Sequence, residues 1–442
     1  MVRSLYLLLI YLTIFGIGLS APFLLTLGYV WVDIFHPENV AWDILPDVPV
    51  SFLIGTAAIG SYLVFDRQSP PRVSAITVIT VVFVLWVTAT TLHAIAPLPA
   101  WWKWDWAIKS MLFSVFIPFA IRSRNQIEAF IQVYVISLAA NIIPFGLKTI
   151  ITGGGYGTSL GLISTNSVFG EQDTLATACT LGIPLMLYLI RHTRIIPRGR
   201  LPTIGYGGLV LLTIATTIGT QERAALVGLI AAAGGLWLKS SKKLVLAAVF
   251  AAIGVAIVAS APAAWWDRMS SISEGAHDGS IAVRLKMWEW TMDLVAEHPN
   301  GAGFEAYRKS VLEFPQPLKG EPRFEYGRAF HSSFFEVLGE HGWFGFGLFL
   351  SLIGASFLTL RSVARQTRNL PGLAWAHDLA GALEVSLLVV VTCGAFISIG
   401  FQPLFYYIFA LSHCLREYVR RVLNAQTATA PIESRAYSLA GP

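Results

Sequence analysis

His331-Ser-Ser-Phe-Phe-Glu336-Val-Leu-Gly-Glu340-His341-Gly342 follows directly on Ala263–Phe330, a charged, Trp-rich and irregular stretch set between strongly apolar runs. Working outward from it, Leu244–Ser260 lies before and Trp343–Leu360 after, each long enough to enter or cross about 30 Å of hydrocarbon. The reading is therefore a membrane protein with one extended extramembrane segment, and chemistry is to be sought in that segment.

The bulk composition agrees. Hydrophobic residues make up 55% of the chain and charged residues 13%, with a mean hydropathy of +0.63, whereas a soluble domain is about 25% charged. A large soluble domain is excluded on those figures. The net charge of +5 is not a nucleic-acid signal, because the basic residues stand at the ends of apolar runs as membrane topology requires. Cys179, Cys393 and Cys414 lie in or beside apolar runs without CxxC spacing, which suggests neither a disulfide framework nor a metal site. Arg3 followed by apolar residues, with no small-residue cleavage site, reads as a retained span.

The expected fold is all-α and polytopic, with 12 or 13 spans: Leu5–Ile17, Ala21–Ile34, Val50–Phe65, Val73–Ile95, Trp106–Ile121, Ile127–Ile150, Thr174–Ile190, Leu201–Ile218, Ala224–Leu238, Leu244–Ser260, Trp343–Leu360, Ala374–Ile397 and Pro403–Val419. The first two runs are short enough to be two tilted helices or one span with a re-entrant piece. Basic residues fall at alternate connections: Arg67 and Arg72, Arg122 and Arg124, Arg191 to Arg200, Lys239 to Lys243, Arg361 to Arg368, and Arg416 to Arg421. The positive-inside bias makes these cytoplasmic and turns 35–49, 96–105, 151–173, 219–223, 261–342 and 398–402 outward. The expected organisation is N-terminal transmembrane helices over 1–262, a periplasmic catalytic loop over 263–342, C-terminal transmembrane helices over 343–421, and a cytoplasmic tail over 422–442, disordered over Asn424–Pro442. No internal repeat is apparent, which argues against a transporter built from inverted repeats.

Within the outward segment, Ser280–Glu297 reads as an amphipathic interfacial helix. Ile281, Leu285, Trp288, Met292 and Val295 form one apolar stripe, with Lys286, Glu289, Asp293 and Glu297 on the opposite flank. Trp265, Trp266, Trp288 and Trp290 add interfacial aromatics. Arg284 edges the stripe, either snorkelling to the interface or pointing toward the protein body. His298-Pro-Asn-Gly-Ala-Gly-Phe304 ends the helix in a tight return. Ser333 with Glu336 three residues on is a capping box, so Glu336 closes a helix start, orients His331, or both. His331 then stands before a helix N-terminus, where the dipole favours the neutral imidazole. It is a proton acceptor or a His bonded to loop carbonyls. Arg223, in Thr220-Gln-Glu-Arg223-Ala-Ala, is an interface anchor or an anion clamp. Lys148, Arg308 and Lys309 are further cations, as phosphate contacts or solvated loop charges. His341 and Glu340 read as interface residues. Lys109 and Glu384, at membrane depth, are functional or structurally paired. Two arginines and a histidine without a carboxylate-rich cage suit a diphosphate handled without metal.

The pattern Arg284-Leu-Lys-Met-Trp288, His298-Pro-Asn-Gly-Ala-Gly-Phe304 and His331 to Gly345, together with the Arg223 motif, resembles the bacterial O-antigen ligases and O-antigen polymerases, membrane glycosyltransferases of the GT-C type. HSSFFEVLGEHGWFG most resembles the ligase-like branch associated with exosortase systems. Ser332 stands where most of the superfamily has Asn after the His. The resemblance implies transfer of a glycan from undecaprenyl diphosphate to an acceptor hydroxyl on a glycan or lipid. It implies an inner-membrane protein with its site on the periplasmic side and its C-terminus cytoplasmic, working without a metal or other cofactor and inverting the anomeric centre. It also implies that Arg223 and Arg284 hold the diphosphate and that His331 orients or deprotonates the acceptor. A polymerase that uses a second lipid-linked repeat is the nearest alternative, and a lipid-linked glycan transporter a more distant one.

Overall fold

A computed structural model describes residues 2–37, 48–66, 69–152, 172–220, 222–260, 266, 279–314 and 323–429. Its helices are α1 (Val2–Gly18), α2 (Pro22–Phe35), α3 (Val50–Phe65), α4 (Ala75–Thr91), α5 (Pro97–Ala120), α6 (Arg124–Thr152), α7 (Gln172–His192), α8 (Arg200–Gly219), α9 (Arg223–Lys239), α10 (Lys243–Ser260), α11 (Gly279–Glu297), α12 (Ser333–Thr367), α13 (Ala374–Gly394) and α14 (Pro403–Thr429). Among the described residues, α6, α7, α8, α12 and α13 contain stretches long and apolar enough to cross a membrane, and shorter apolar helices surround them. The chain is an all-α polytopic membrane protein.

Helices form at every expected run because each run is continuous and apolar, and helices satisfy their own backbone polar groups. The two short N-terminal runs are separate helices packed face to face: a Cβ on Gly28 would lie 2.7 Å from Ile14. Four expectations change. α5 begins at Pro97 rather than Trp106, which brings Lys103 into a helix. α12 begins at Ser333, and Gly342 (φ 67°, ψ −171°) kinks it where a span was expected to start. The long loop holds a two-stranded antiparallel hairpin, β1 (Val311–Phe314) with β2 (Arg323–Tyr326), pairing Val311 with Tyr326 and Phe314 with Arg323. α14 continues to Thr429, into the part of the tail expected to be disordered. The remainder of the tail, Arg67, Gln221, Trp265, most of the 35–49 and 151–173 connections and much of 261–278 lie outside the described residues.

α7 is the central helix. Thr174 to Met186 are all buried, and their small side chains let neighbouring backbones approach. Tyr134 donates to the Ala178 carbonyl at 3.2 Å and Ser386 to that of Leu181 at 2.8 Å.

The basic connections gather at one end of the bundle. Arg122 donates to Tyr62 and Arg124 to the His192 carbonyl. Glu128 accepts the backbone N–H groups of Arg194 and Ile195 at 2.6 and 2.9 Å. His413 reaches the Arg72 carbonyl at 3.0 Å. Glu384 lies between Lys239 and Arg361, and Lys109 pairs with Asp105 one turn away. Structural pairing therefore accounts for both membrane-depth charges. α11, the hairpin and the start of α12 occupy the other end.

Candidate functional site

α11 buries a face that matches its apolar stripe only in part. Met287, Thr291, Leu294 and Val295 are buried, whereas Leu285 (57% exposed) and Met292 (45%) are not. The buried face packs on Phe330, Ala302, Ala306 and Leu312, a small core separate from the main one. Arg284 is half-buried, one turn before Met287 and Trp288. Its charge acts on both Asp173, at the start of α7, and His331.

His331 is held in an uncommon backbone conformation. Its φ of 50° lies in the left-handed region, which costs a non-glycine residue about 1–2 kcal/mol. The segment is fixed on one side by the Trp288 indole N–H, which donates to the Phe330 carbonyl at 3.0 Å. Trp288 also stacks on Phe335 at 4.9 Å. Burial, with the added charges of Arg284 and Arg328, holds His331 below the ordinary His pKa. The half-buried imidazole is thus neutral near pH 7, with a lone pair able to accept a proton.

His298–Phe304 does more than end a helix. It fills the kink of α12: Trp343 donates its N–H to the Pro299 carbonyl at 3.2 Å, and Ala302 and Gly303 donate to the carbonyls of Gly339 and Glu340 at 3.2 and 2.8 Å. Gly301 (φ 101°) lies so close that a Cβ would fall 2.4 Å from the His341 Cα. The other side of the turn meets the α4–α5 corner, where Ile95 donates to the Ala302 carbonyl at 2.9 Å.

The capping box expected at Ser333–Glu336 does not form. Ser332 is the N-cap and makes no side-chain cap bond. Ser333 donates instead to the Ile397 carbonyl and accepts from the Ile399 N–H. Glu336 turns inward to Lys103 at 2.7 Å and accepts the Gly400 N–H at 2.9 Å. Lys103 also meets both oxygens of Glu340, at 2.8 and 2.9 Å, and lies 3.9 Å from Glu305. A buried ammonium is the stronger attraction, because each carboxylate would otherwise be buried without a countercharge. Glu340 and His341, read as interface residues, are fully buried. His341 contacts Thr90 at 2.6 Å and sits among Phe83, Phe304 and Phe401.

Arg223 opens α9 at the same end of the bundle. Its neighbour Ala224 accepts a bond from Cys393, which also feels the charge of Asp173, and the adjacent Gly394 abuts Ser333. Lys148 lies near the end of α6, where Thr149 touches Gly219. Arg308 pairs with Glu305 at 2.6 Å and is exposed on its other side. The structure thus groups Arg284, His331 and Asp173, puts Arg223 one helix start away, and engages Glu336 and Arg308 in ion pairs.

Lys103, Glu305, Asp173 and Arg328 were not found from sequence. Lys103 stands in Trp101-Trp-Lys103-Trp104, within the 96–105 connection expected to face outward. The available signal was an unbalanced Glu336–Glu340 pair one turn apart on an otherwise apolar helix.

Residues 2–194 match a family of unknown function (DUF5935), and residues 208–350 match the O-antigen ligase family. No curated protein matches the chain. The second match contains Arg223, Arg284, His331, Glu336 and Glu340. Over residues 208–350 the chain is similar to the O-antigen ligase family, and that match supports the O-antigen ligase superfamily.

Proposed function

We propose that the chain transfers a glycan from undecaprenyl diphosphate to an acceptor hydroxyl at the membrane surface, as an inverting ligase that needs no metal. The observation that carries this reading is the convergence of Arg284 and the neutral, half-buried His331 beside the start of α7. Arg284 and Arg223 hold the diphosphate and offset the negative charge that grows on it as the glycosidic bond breaks. His331 accepts the acceptor hydroxyl's proton as that oxygen attacks the anomeric carbon. One displacement inverts that centre. The donor already carries the energy of the reaction, so no nucleotide is required.

In this reading the end bearing α11 faces the periplasm, the protein sits in the inner membrane, and the C-terminus is cytoplasmic. The gathering of basic connections at the opposite end supports that orientation. α11 and the return turn form a lid over a membrane-level site.

The test is reconstitution of the purified chain with lipid-linked glycan, with and without a candidate acceptor such as lipid A–core. Product on the added acceptor, persisting in excess EDTA, supports the ligase. Ladder growth without an added acceptor identifies a polymerase. Loss of transfer in EDTA, restored by a divalent ion, contradicts the metal-free chemistry.

A further inference from the structure

Lys103 is buried at the meeting point of four segments that are distant in sequence. It comes from α5, Glu336 and Glu340 come from the first turns of α12, and Glu305 comes from the return loop. Glu336 carries the linkage on to the corner between α13 and α14 through the Gly400 N–H. Glu340 carries it back to the return loop by accepting the Glu305 N–H at 2.8 Å. The ammonium also lies 5.4 Å from the Phe304 ring centre and 5.2 Å from that of Phe401, so aromatic rings flank the carboxylates around it.

Two cations meet three carboxylates here. Lys103 and Arg308 face Glu305, Glu336 and Glu340. The buried His341 has its Nε2 4.0 Å from Glu340, with no hydrogen-bond partner among the described residues. Removing Lys103 would leave Glu336 and Glu340 facing each other with no cation between them where water is scarce, so the pair either repels or takes up a proton and re-forms its hydrogen bonds. The first turn of α12, whose Glu336 N–H bonds the Ser332 carbonyl at 2.8 Å, would then shift, and His331 immediately precedes it.

We infer that Lys103 is a positioning residue for transfer: by holding Glu336 and Glu340 together it locks the return turn, the start of α12 and the 395–402 corner into the arrangement that presents His331. The activity arm of this inference rests on the transferase reading; the placement of His331 does not.

The experiment compares the full chain in nanodiscs as wild type, Lys103→Met and Lys103→Met/Glu340→Gln. Carbethoxylation of His331 by diethyl pyrocarbonate, followed by peptide mass spectrometry, reports its placement. Transfer from purified undecaprenyl-diphosphate-linked glycan reports function. Lys103→Met should change the His331 modification rate severalfold and lower kcat about a hundredfold, the scale of a small misplacement of a reacting group. Donor KM should stay within about threefold, because the diphosphate clamp is untouched. Adding Glu340→Gln removes the repulsion and lets the new amide donate to Glu336, so the double variant should recover about tenfold of the lost rate and the wild-type reactivity of His331. Should Lys103→Met alone fail to insert, recovery of insertion in the double variant supports the inference. Wild-type reactivity of His331 in an inserted Lys103→Met chain overturns it, as does a double variant that recovers nothing. If the wild type transfers no glycan, the transferase reading fails while the His331 reactivity still decides this one.

Discussion

Trp288 donates its indole N–H to the carbonyl of Phe330, at 3.0 Å, one residue before His331. This bond ties the amphipathic helix that carries Arg284 to the segment that carries the candidate base. Trp288→Phe keeps an aromatic ring against Phe335 but leaves that carbonyl without its donor. It should lower stability by about 1 kcal/mol and reduce transfer more than the stability change alone explains. Thermal unfolding in detergent and initial rates measured on the same preparation check this.

The left-handed backbone at His331 separates stability from chemistry. His331→Gly relieves the strain of a φ of 50° and should leave stability unchanged or raise it by up to about 1 kcal/mol, while abolishing transfer. His331→Ala should also abolish transfer but without the gain. A gain in stability for Ala equal to that for Gly would contradict the strain argument.

Acidification should act through His331. Burial with Arg284 and Arg328 lowers its pKa in the folded chain, so below the ordinary His value of about 6.5 the unfolded chain binds a proton that the folded chain refuses. His331 therefore subtracts stability as pH falls through that range and has no such effect above it. The acid limb of transfer should lie below the ordinary His value for the same reason. Arg328→Gln removes one repelling charge and should move that limb toward higher pH. A limb that stays fixed, or moves lower, would argue against His331 as the titrating base.

The return turn and the kink of α12 interlock by backbone contact, so neither tolerates a side chain. Gly301→Ala places a Cβ 2.4 Å from the His341 Cα at a φ of 101°, and should destabilise the protein by about 2 kcal/mol or more. Gly347→Ala, further along the same helix with nothing within 4 Å of its Cβ, should be nearly neutral. Melting temperatures of the two variants test the contrast.

The helices were legible because each apolar run satisfies its own backbone, and local pattern is enough for that. For α11 the helix was legible from its spacing, but the buried face was legible only in part. An interfacial helix has one face on the protein and another toward the bilayer. Leu285 and Met292, read as part of the interfacial stripe, stay exposed, and Met287 and Leu294 make the contact with the protein. Glu336 was misread because Ser333-Phe-Phe-Glu336 is a sound local capping pattern, and a buried ammonium from a segment more than two hundred residues earlier outweighs it. Lys103 carried little local signal: a Lys among tryptophans at a helix start looks the same whether it snorkels or is buried.

The central claim is that His331 and Arg284 act together on a lipid-linked glycan. Transfer from purified undecaprenyl-diphosphate-linked glycan by reconstituted wild type, His331→Ala and Arg284→Ala chains, matched for insertion and melting temperature, tests it most directly. Each single variant should lose transfer by at least about a thousandfold, and the double variant should be little worse than either single one, because the two groups serve one transition state. Transfer by His331→Ala at the wild-type rate would contradict the account.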